Sequence, residues 1–282
     1  MAIRDELRVL ITAARLGWAI ESNWTDPFLF IVYSIARPVA SALILVFMYI
    51  VVAGGNTKGE VMAFLVVGNA FWAFVINGLQ GLAWGILDDR ERYVMLKYIY
   101  IAPVRFYTYL LGRGAAHLAS ASAAVVVTLL VGVLFLDVPI DLARVDYPLL
   151  VLSLVFGLAG VGAVGIAVAG VSLNIWRESW GLSEGVAGTL FLLCGVIFPV
   201  AVLPDWVQPI ARALPMTYWL EATRRALLGS GQGFSLVDLS TSEVVAGLML
   251  STVVAVAIAN FVFRFAEHRA KERGMIDMIT GS

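Results

Sequence analysis

Residues 87–105 read LDDRERYVMLKYIYIAPVR and carry seven formal charges between two long apolar runs. A charged side chain at the centre of a bilayer costs about 3 kcal/mol or more, so this stretch, the charged segment, cannot lie in hydrocarbon. Pro103 ends any helix in it before the next apolar run. The charged segment is therefore either a docking surface for a partner protein or an ordinary solvated loop.

Composition places the whole chain in the membrane class. Of its 282 residues, 61% are hydrophobic and 14% are charged, whereas soluble domains carry about a quarter charged residues. A formal net charge of −1 gives no case for nucleic-acid binding. The single cysteine, Cys194, excludes an internal disulfide and a multi-cysteine metal site.

The N-terminal region predicts an amphipathic helix over 2–21. Its arginines cluster beside the apolar stripe, which suits a helix lying in the membrane interface within an N-terminal unit of residues 1–27. A helix packed on a soluble domain would show the same pattern. The stripe consists of Ile3, Leu7, Leu10, Ile11, Ala14 and Trp18.

Six apolar runs predict a six-helix transmembrane domain over 28–265, followed by a polar tail over 266–282. Each run reaches or approaches the roughly 20 residues that a helix needs to cross hydrocarbon, and such continuous runs do not suit barrel strands. The predicted fold class is therefore an all-α membrane protein. The runs are 28–53, 61–87, 106–136, 148–173, 185–202 and 241–265.

Charge asymmetry predicts the orientation. Six spans put both termini on one side, and twelve of the nineteen Lys and Arg residues fall on that side, against five on the other. The positive-inside rule then makes the termini and the charged segment cytoplasmic, and places 203–240 outside.

The outer region is broken by prolines. Its residues 198–229 read FPVAVLPDWVQPIARALPMTYWLEATRRALLG, with four prolines that leave pieces too short to span a membrane. We expect two short re-entrant or interfacial helices within 203–230. A plain external loop with aromatic anchors is the alternative.

Two stretches carry a family resemblance. Residues 90–113 (RERYVMLKYIYIAPVRFYTYLLGR) and 194–229 (CGVIFPVAVLPDWVQPIARALPMTYWLEATRRALLG) resemble the permease subunit of type-2 ABC exporters, and the layout is similar to multidrug or daunorubicin-resistance permeases. The second stretch follows that family's pattern of FP, LP-x-W, LP-x-[TS]-Y and an acidic residue three positions before an arginine. The first departs from it, because Tyr93-Val94 stands where Gly-Thr is common.

The resemblance implies a transport subunit rather than an enzyme. It implies a second permease copy (a homodimer or a close paralogue), an ABC ATPase subunit that binds ATP and Mg, contact with lipid, and a bacterial plasma or inner membrane location. The chain itself lacks a G-x-x-x-x-G-K-[ST] phosphate loop, and we expect no cofactor or metal in it.

Three sets of site residues follow. The predicted ATPase-coupling residues are Asp88, Asp89, Arg90, Glu91, Arg92, Lys97, Arg177 and Glu178. The predicted outer-gate residues are Pro199, Pro204, Trp206, Pro215, Tyr218, Glu221 and Arg224. The predicted substrate-path residues are Arg37, Asn69, Asn77, Gln80 and Trp84.

The substrate path is predicted from one helical face of the second span. At about 100° per residue, its amides and Trp84 fall in one arc. Interhelical hydrogen bonding would produce the same stripe, and Arg37 could equally reach back to the headgroups. His117 is the one histidine within a predicted span.

The predicted function is outward export of an amphipathic drug-like or lipid-like substrate by alternating access. Export of a lipid-linked polysaccharide, O-antigen or teichoic-acid-like polymer is the alternative. A secondary transporter or an intramembrane enzyme fits less well, because no acid lies well inside a span and no second catalytic group accompanies His117.

Overall fold

The computed structural model describes residues 3–23, 26–52, 59–175, 179–229 and 235–276. Within these ranges the chain is helical and contains no strand. The ten α-helices are α1 Ile3–Ser22, α2 Pro27–Val52, α3 Gly59–Leu87, α4 Leu96–Ile101, α5 Phe106–Phe135, α6 Tyr147–Ser172, α7 Ser179–Leu193, α8 Gln208–Ala213, α9 Pro215–Leu228 and α10 Thr241–Glu272.

Four of the described helices, α3, α5, α6 and α10, are long and apolar enough to cross a membrane. The apolar parts of the other two predicted spans are shorter, Ala36–Val51 in α2 and Gly181–Leu193 in α7. The protein is thus an all-helical, multi-pass membrane protein. The exact count of six spans stays a prediction.

Helix α3 is the centre of the bundle. It packs against α5 and α6, while α2 and α7 contact it from a further side. Most of its apolar window is buried inside the protein, which matches a helix that is hydrophobic all round. Its charged end and its amide face are consequently held by neighbouring helices.

Helix α1 packs on the beginning of α5 through small residues. A side-chain carbon added at Gly112 would lie 2.6 Å from both the Leu10 carbonyl oxygen and the Ala13 Cβ. On α1, Leu7 and Trp18 remain exposed. The helix itself is confirmed, and its place in the membrane interface stays a prediction.

Helix α9 is buried although it carries three charges. Its Trp219 is fully buried, and an added Cβ at Gly157 of α6 would lie 2.3 Å from the indole ring. The predicted pair of short helices is present as α8 and α9. Their re-entry into the membrane remains a prediction.

Two predicted boundaries were wrong. The fifth run was expected to continue to residue 202, but α7 ends at Leu193 and the chain turns at Gly195, whose φ is +72°. An apolar run cannot reveal this turn, because the residues on both sides of the glycine are equally hydrophobic. The last helix was expected to end near 265 and instead continues to Glu272.

The charged segment is not a simple loop. Helix α3 continues into one π-helical turn, Asp88–Arg92, and the chain then breaks at Val94, whose φ is +51°. The short helix α4 follows and ends before Pro103. The segment therefore leaves the bundle as a rigid extension of α3.

Candidate substrate cleft and coupling surface

A cleft of about 660 Å³ opens on the amide face of α3. Its walls come from α2, α3, α5 and α7, with the end of α1 at its edge. Four of the five predicted substrate-path residues line it, namely Arg37, Asn69, Asn77 and Gln80. Trp84 does not, and its side chain is 37% exposed elsewhere on α3.

The amides of the cleft differ in how firmly they are held. Asn69 is buried and accepts a hydrogen bond at 3.2 Å from the Ser41 hydroxyl of α2. Asn77 donates at 2.7 Å to the Ala73 carbonyl of its own helix, and it stays half-buried like Gln80. Asn69 therefore joins two helices, while Asn77 and Gln80 keep part of their surface in the cleft.

Aromatic rings supply the apolar wall. The ring centroids of Trp72 on α3 and Phe191 on α7 lie 5.2 Å apart, and both residues line the cleft. Such offset aromatic pairs combine a large apolar surface with a defined shape. With the amides opposite, the cleft can hold a molecule that has a polar and an apolar part.

Two acidic residues of the cleft were missed by the sequence analysis. Glu21 on α1 and Glu184 on α7 both line it. The Glu21 carboxylate also lies 3.5 Å from His117 Nδ1, so His117 has a neighbour on another helix. Burial raises the pKa of Glu21 above its ordinary value of 4.5. In sequence, Glu21 is only an irregularity in an amphipathic pattern.

At the other end of α3, two of the predicted coupling residues are buried. Asp89 accepts hydrogen bonds from Tyr109 at 2.6 Å and from Arg113 at 3.1 Å, both on α5. Arg90 donates to the carbonyl oxygens of Leu173 and Ile175, at 3.3 and 3.2 Å, just beyond α6. These side chains fasten the charged segment to the bundle and do not face outward.

The rest of the charged segment forms an outer surface. Asp88, Glu91 and Lys97 are half-buried, while Arg92 is exposed. Tyr98 and Ile101, at 64% and 79% exposure, lie on the same short stretch. We call Arg92, Lys97, Tyr98 and Ile101 the coupling surface. The last two predicted coupling residues, Arg177 and Glu178, lie outside the described residues.

The predicted outer-gate charges are buried and paired differently from expectation. Glu221 forms an ion pair with Arg225 at 2.8 Å and accepts a bond from the Ser235 amide. Arg225 also donates to the carbonyls of Leu236 and Leu239. The pair thereby holds the chain that leads into α10.

Arg224 points the opposite way, toward α3. Its guanidinium donates to the carbonyls of Gly195 and Val196 at 2.9 and 3.0 Å, and lies 3.6 Å from the centroid of the Phe64 ring. It is fully buried. Arg224 therefore satisfies carbonyls that the turn after α7 leaves without helical partners.

The remaining outer-gate residues divide by exposure. Pro204 and Trp206 are exposed and Pro199 is half-buried. Pro215 and Tyr218 are packed against Gly160 of α6 and Gly247 of α10. The structure does not bring the seven predicted residues together as one cluster.

Comparison with known proteins agrees with this architecture. The sequence model of the ABC-2 type transporter family matches residues 15–228, which run from α1 to the last residue of α9. No curated protein matches the chain. The chain belongs to the ABC-2 type transporter family and is a multi-pass transmembrane subunit of an ABC transporter, a class that works with an ABC ATPase.

Proposed function

We propose that the protein exports an amphipathic drug-like or lipid-like molecule through the cleft beside α3, as the permease of a multidrug-type ABC exporter. The observation that carries this proposal is the lining of the cleft, where half-buried amides face an aromatic wall. A volume of about 660 Å³ lies within the range of about 300–1,000 Å³ that is usual for drug-sized ligands.

The residues of the cleft divide the work of binding. Asn77 and Gln80 offer donors and acceptors for the polar part of the cargo, while Trp72 and Phe191 cover its apolar part. Because Asn69 already bonds Ser41, its role is to keep α2 and α3 in register. Alternating access opens this cleft first to one side of the membrane and then to the other.

The driving force comes from an ATPase that docks on the coupling surface. Because α3 continues without a flexible loop into the π-helical turn, a push on Arg92 or Lys97 moves α3 directly. The buried pair of Asp89 and Arg113 carries the same displacement to α5. The partner supplies ATP and Mg, and a second permease copy completes the transporter.

The orientation proposed for this transporter has both termini in the cytoplasm of a bacterial cell. It rests on the excess of Lys and Arg on the side of the termini. Export of a lipid-linked polymer is the second candidate. The volume of the cleft favours a single small molecule, because a polymer needs a continuous channel.

The test is stimulation of ATP hydrolysis in vesicles that hold the permease and its ATPase. Amphipathic compounds are expected to stimulate hydrolysis, and Gln80→Ala is expected to change which compounds do so. Thr189→Ala on α7 is the matched control, because Thr189 is exposed and does not line the cleft. Identical compound profiles for Gln80→Ala and the unaltered protein would remove this cleft from the transport path.

A further inference from the structure

A second depression, separate from the cleft, lies between α3, α5, α6 and α10. It has a volume of about 370 Å³, and its lining is apolar apart from Tyr107 and Asn260. Small residues form much of it, including Ala159, Gly162 and Ala163 of α6. We call it the α6 groove. Nothing in the proposed transport cycle uses it.

The α6 groove is open toward the surrounding membrane. Leu111 of α5 and Val256 of α10 stand at its edges and are 43% and 47% exposed. A carbon added at Gly162 would meet no other atom within 4 Å. Neighbouring glycines differ, since a carbon at Gly165 would lie 2.6 Å from the Leu82 side chain. Space over Gly162 is thus a property of the groove and not of every small residue on α6.

The polar end of the α6 groove lies where its helices leave the hydrocarbon. The Tyr107 hydroxyl donates to the Asn260 amide oxygen at 3.2 Å, and it accepts a hydrogen bond from Arg264. Arg264 is exposed. The nearby Glu267 is paired with Lys271 at 2.8 Å, so Arg264 adds positive charge at this end.

The length of the α6 groove matches one leaflet. Tyr107 and Leu118, which both line it, are eleven positions apart on α5, and this corresponds to about 16 Å along the helix. Half of a hydrocarbon core of about 30 Å is about 15 Å. An extended acyl chain that begins at the polar end would therefore reach the far end near the middle of the bilayer.

We infer that the α6 groove holds an acyl chain of an anionic phospholipid, whose phosphate lies beside Arg264 and Tyr107. The chain exchanges lipid neighbours for protein neighbours, so burial of apolar surface favours it little. Close packing against small residues and the attraction between phosphate and guanidinium supply the preference. The lipid is a resident of the surrounding bilayer and not the cargo of the cleft. The inference rests on the membrane-spanning helices and not on the proposed export.

The experiment uses the full chain in phosphatidylcholine vesicles that contain a small share of phosphatidylglycerol with a photoreactive group in its acyl chain. After illumination, labelled peptides are identified by mass spectrometry. We expect labels on the faces of α5, α6 and α10 that carry Leu111, Leu158 and Val256. Labels spread evenly around the bundle would overturn the inference.

Two variants separate the chain from the headgroup. Gly162→Leu fills the α6 groove, and we expect the label at these residues to be lost while the thermal stability stays unchanged. Arg264→Gln leaves the groove open, and we expect about fivefold less labelling by phosphatidylglycerol with no change for a phosphatidylcholine probe. Equal loss with both probes would remove the anionic preference and contradict the assignment.

Gly181→Leu is the matched control, because an added carbon at Gly181 also meets no atom and lies on α7 away from the groove. If Gly162→Leu fails to fold, Ala159→Phe fills the same groove from an exposed position. Unchanged labelling in a folded filling variant would overturn the inference. So would replacement of lipid labels by cross-links between two copies of the chain, because a protein helix would then occupy the groove.

Discussion

The two charged ends of the molecule use arginine in the same way but present different surfaces. Arg90 donates to carbonyls just beyond α6, and Arg224 donates to carbonyls just beyond α7. The segment with Arg90 goes on to expose Arg92 and Tyr98, whereas the charges of α9 are all buried. In this protein, charges first satisfy the backbone at helix ends. Only the charges left over after that can meet a partner.

The largest effect is expected when the buried arginine of the outer end is removed. Arg224→Met keeps most of the volume but leaves three carbonyl oxygens, including that of Phe64, without their donor. We expect a loss of about 3 kcal/mol in the free energy of unfolding, measured in detergent. Arg212→Met, at a partly exposed pair with Asp238, is the control and should cost less than about 1 kcal/mol. Equal losses would mean that Arg224 does not hold the turn after α7.

At the inner end, Asp89→Asn should cost somewhat less, about 2 kcal/mol. The amide can still accept from Tyr109, but it leaves the Arg113 guanidinium buried without a counter-charge. The double variant Asp89→Asn with Arg113→Met should recover part of this loss in the same unfolding assay. Additive losses would show that the two side chains act independently.

Arg92→Ala should sharpen the contrast, because Arg92 is exposed and Asp89 is not. We expect a change in stability below about 0.5 kcal/mol, together with about fivefold weaker binding of the ATPase. Binding is measured by titrating the ATPase onto vesicles that hold the permease. Arg144→Ala, with an exposed side chain beyond α5, is the matched control. If both variants bind the ATPase equally well, Arg92 is not part of the coupling surface.

The smallest effect concerns pH and the outer surface. A hydrogen bond from Arg212 lowers the pKa of Asp238 below its ordinary value of 3.8. The stabilisation is therefore complete above pH 3.8 and is lost as the pH falls through the lowered pKa. Arg212→Ala should flatten this part of the stability curve by less than about 1 kcal/mol. An unchanged acid limb would show that the pair is not formed in solution.

Much of the helical layout was predictable because long apolar runs and amphipathic spacing are local properties. The face of α3 that carries Asn69, Asn77 and Gln80 followed from helical periodicity, since α3 is a regular helix through these positions. That Arg37 lies on the same cleft needed only the hairpin formed by α2 and α3.

What could not be predicted depends on distant partners. Asp89 and Arg90 look like solvated charges in sequence, yet their partners include Arg113 and the Leu173 carbonyl, 24 and 83 positions away. Glu21 and Glu184 join the cleft from other helices for the same reason. The end of α7 at Leu193 depends on a single glycine conformation inside an apolar run.

The widened turn at Asp88–Arg92 has a consequence for insertions and deletions. A π-helical turn contains one residue more than an α-helical turn would, and here it sets Asp89 and Arg90 side by side in the interior. Deleting one residue from this turn would restore ordinary winding and rotate everything after it by about 100°. The face of α4 that now looks outward would then look elsewhere, so a chain of normal stability could be mechanically disconnected from its ATPase.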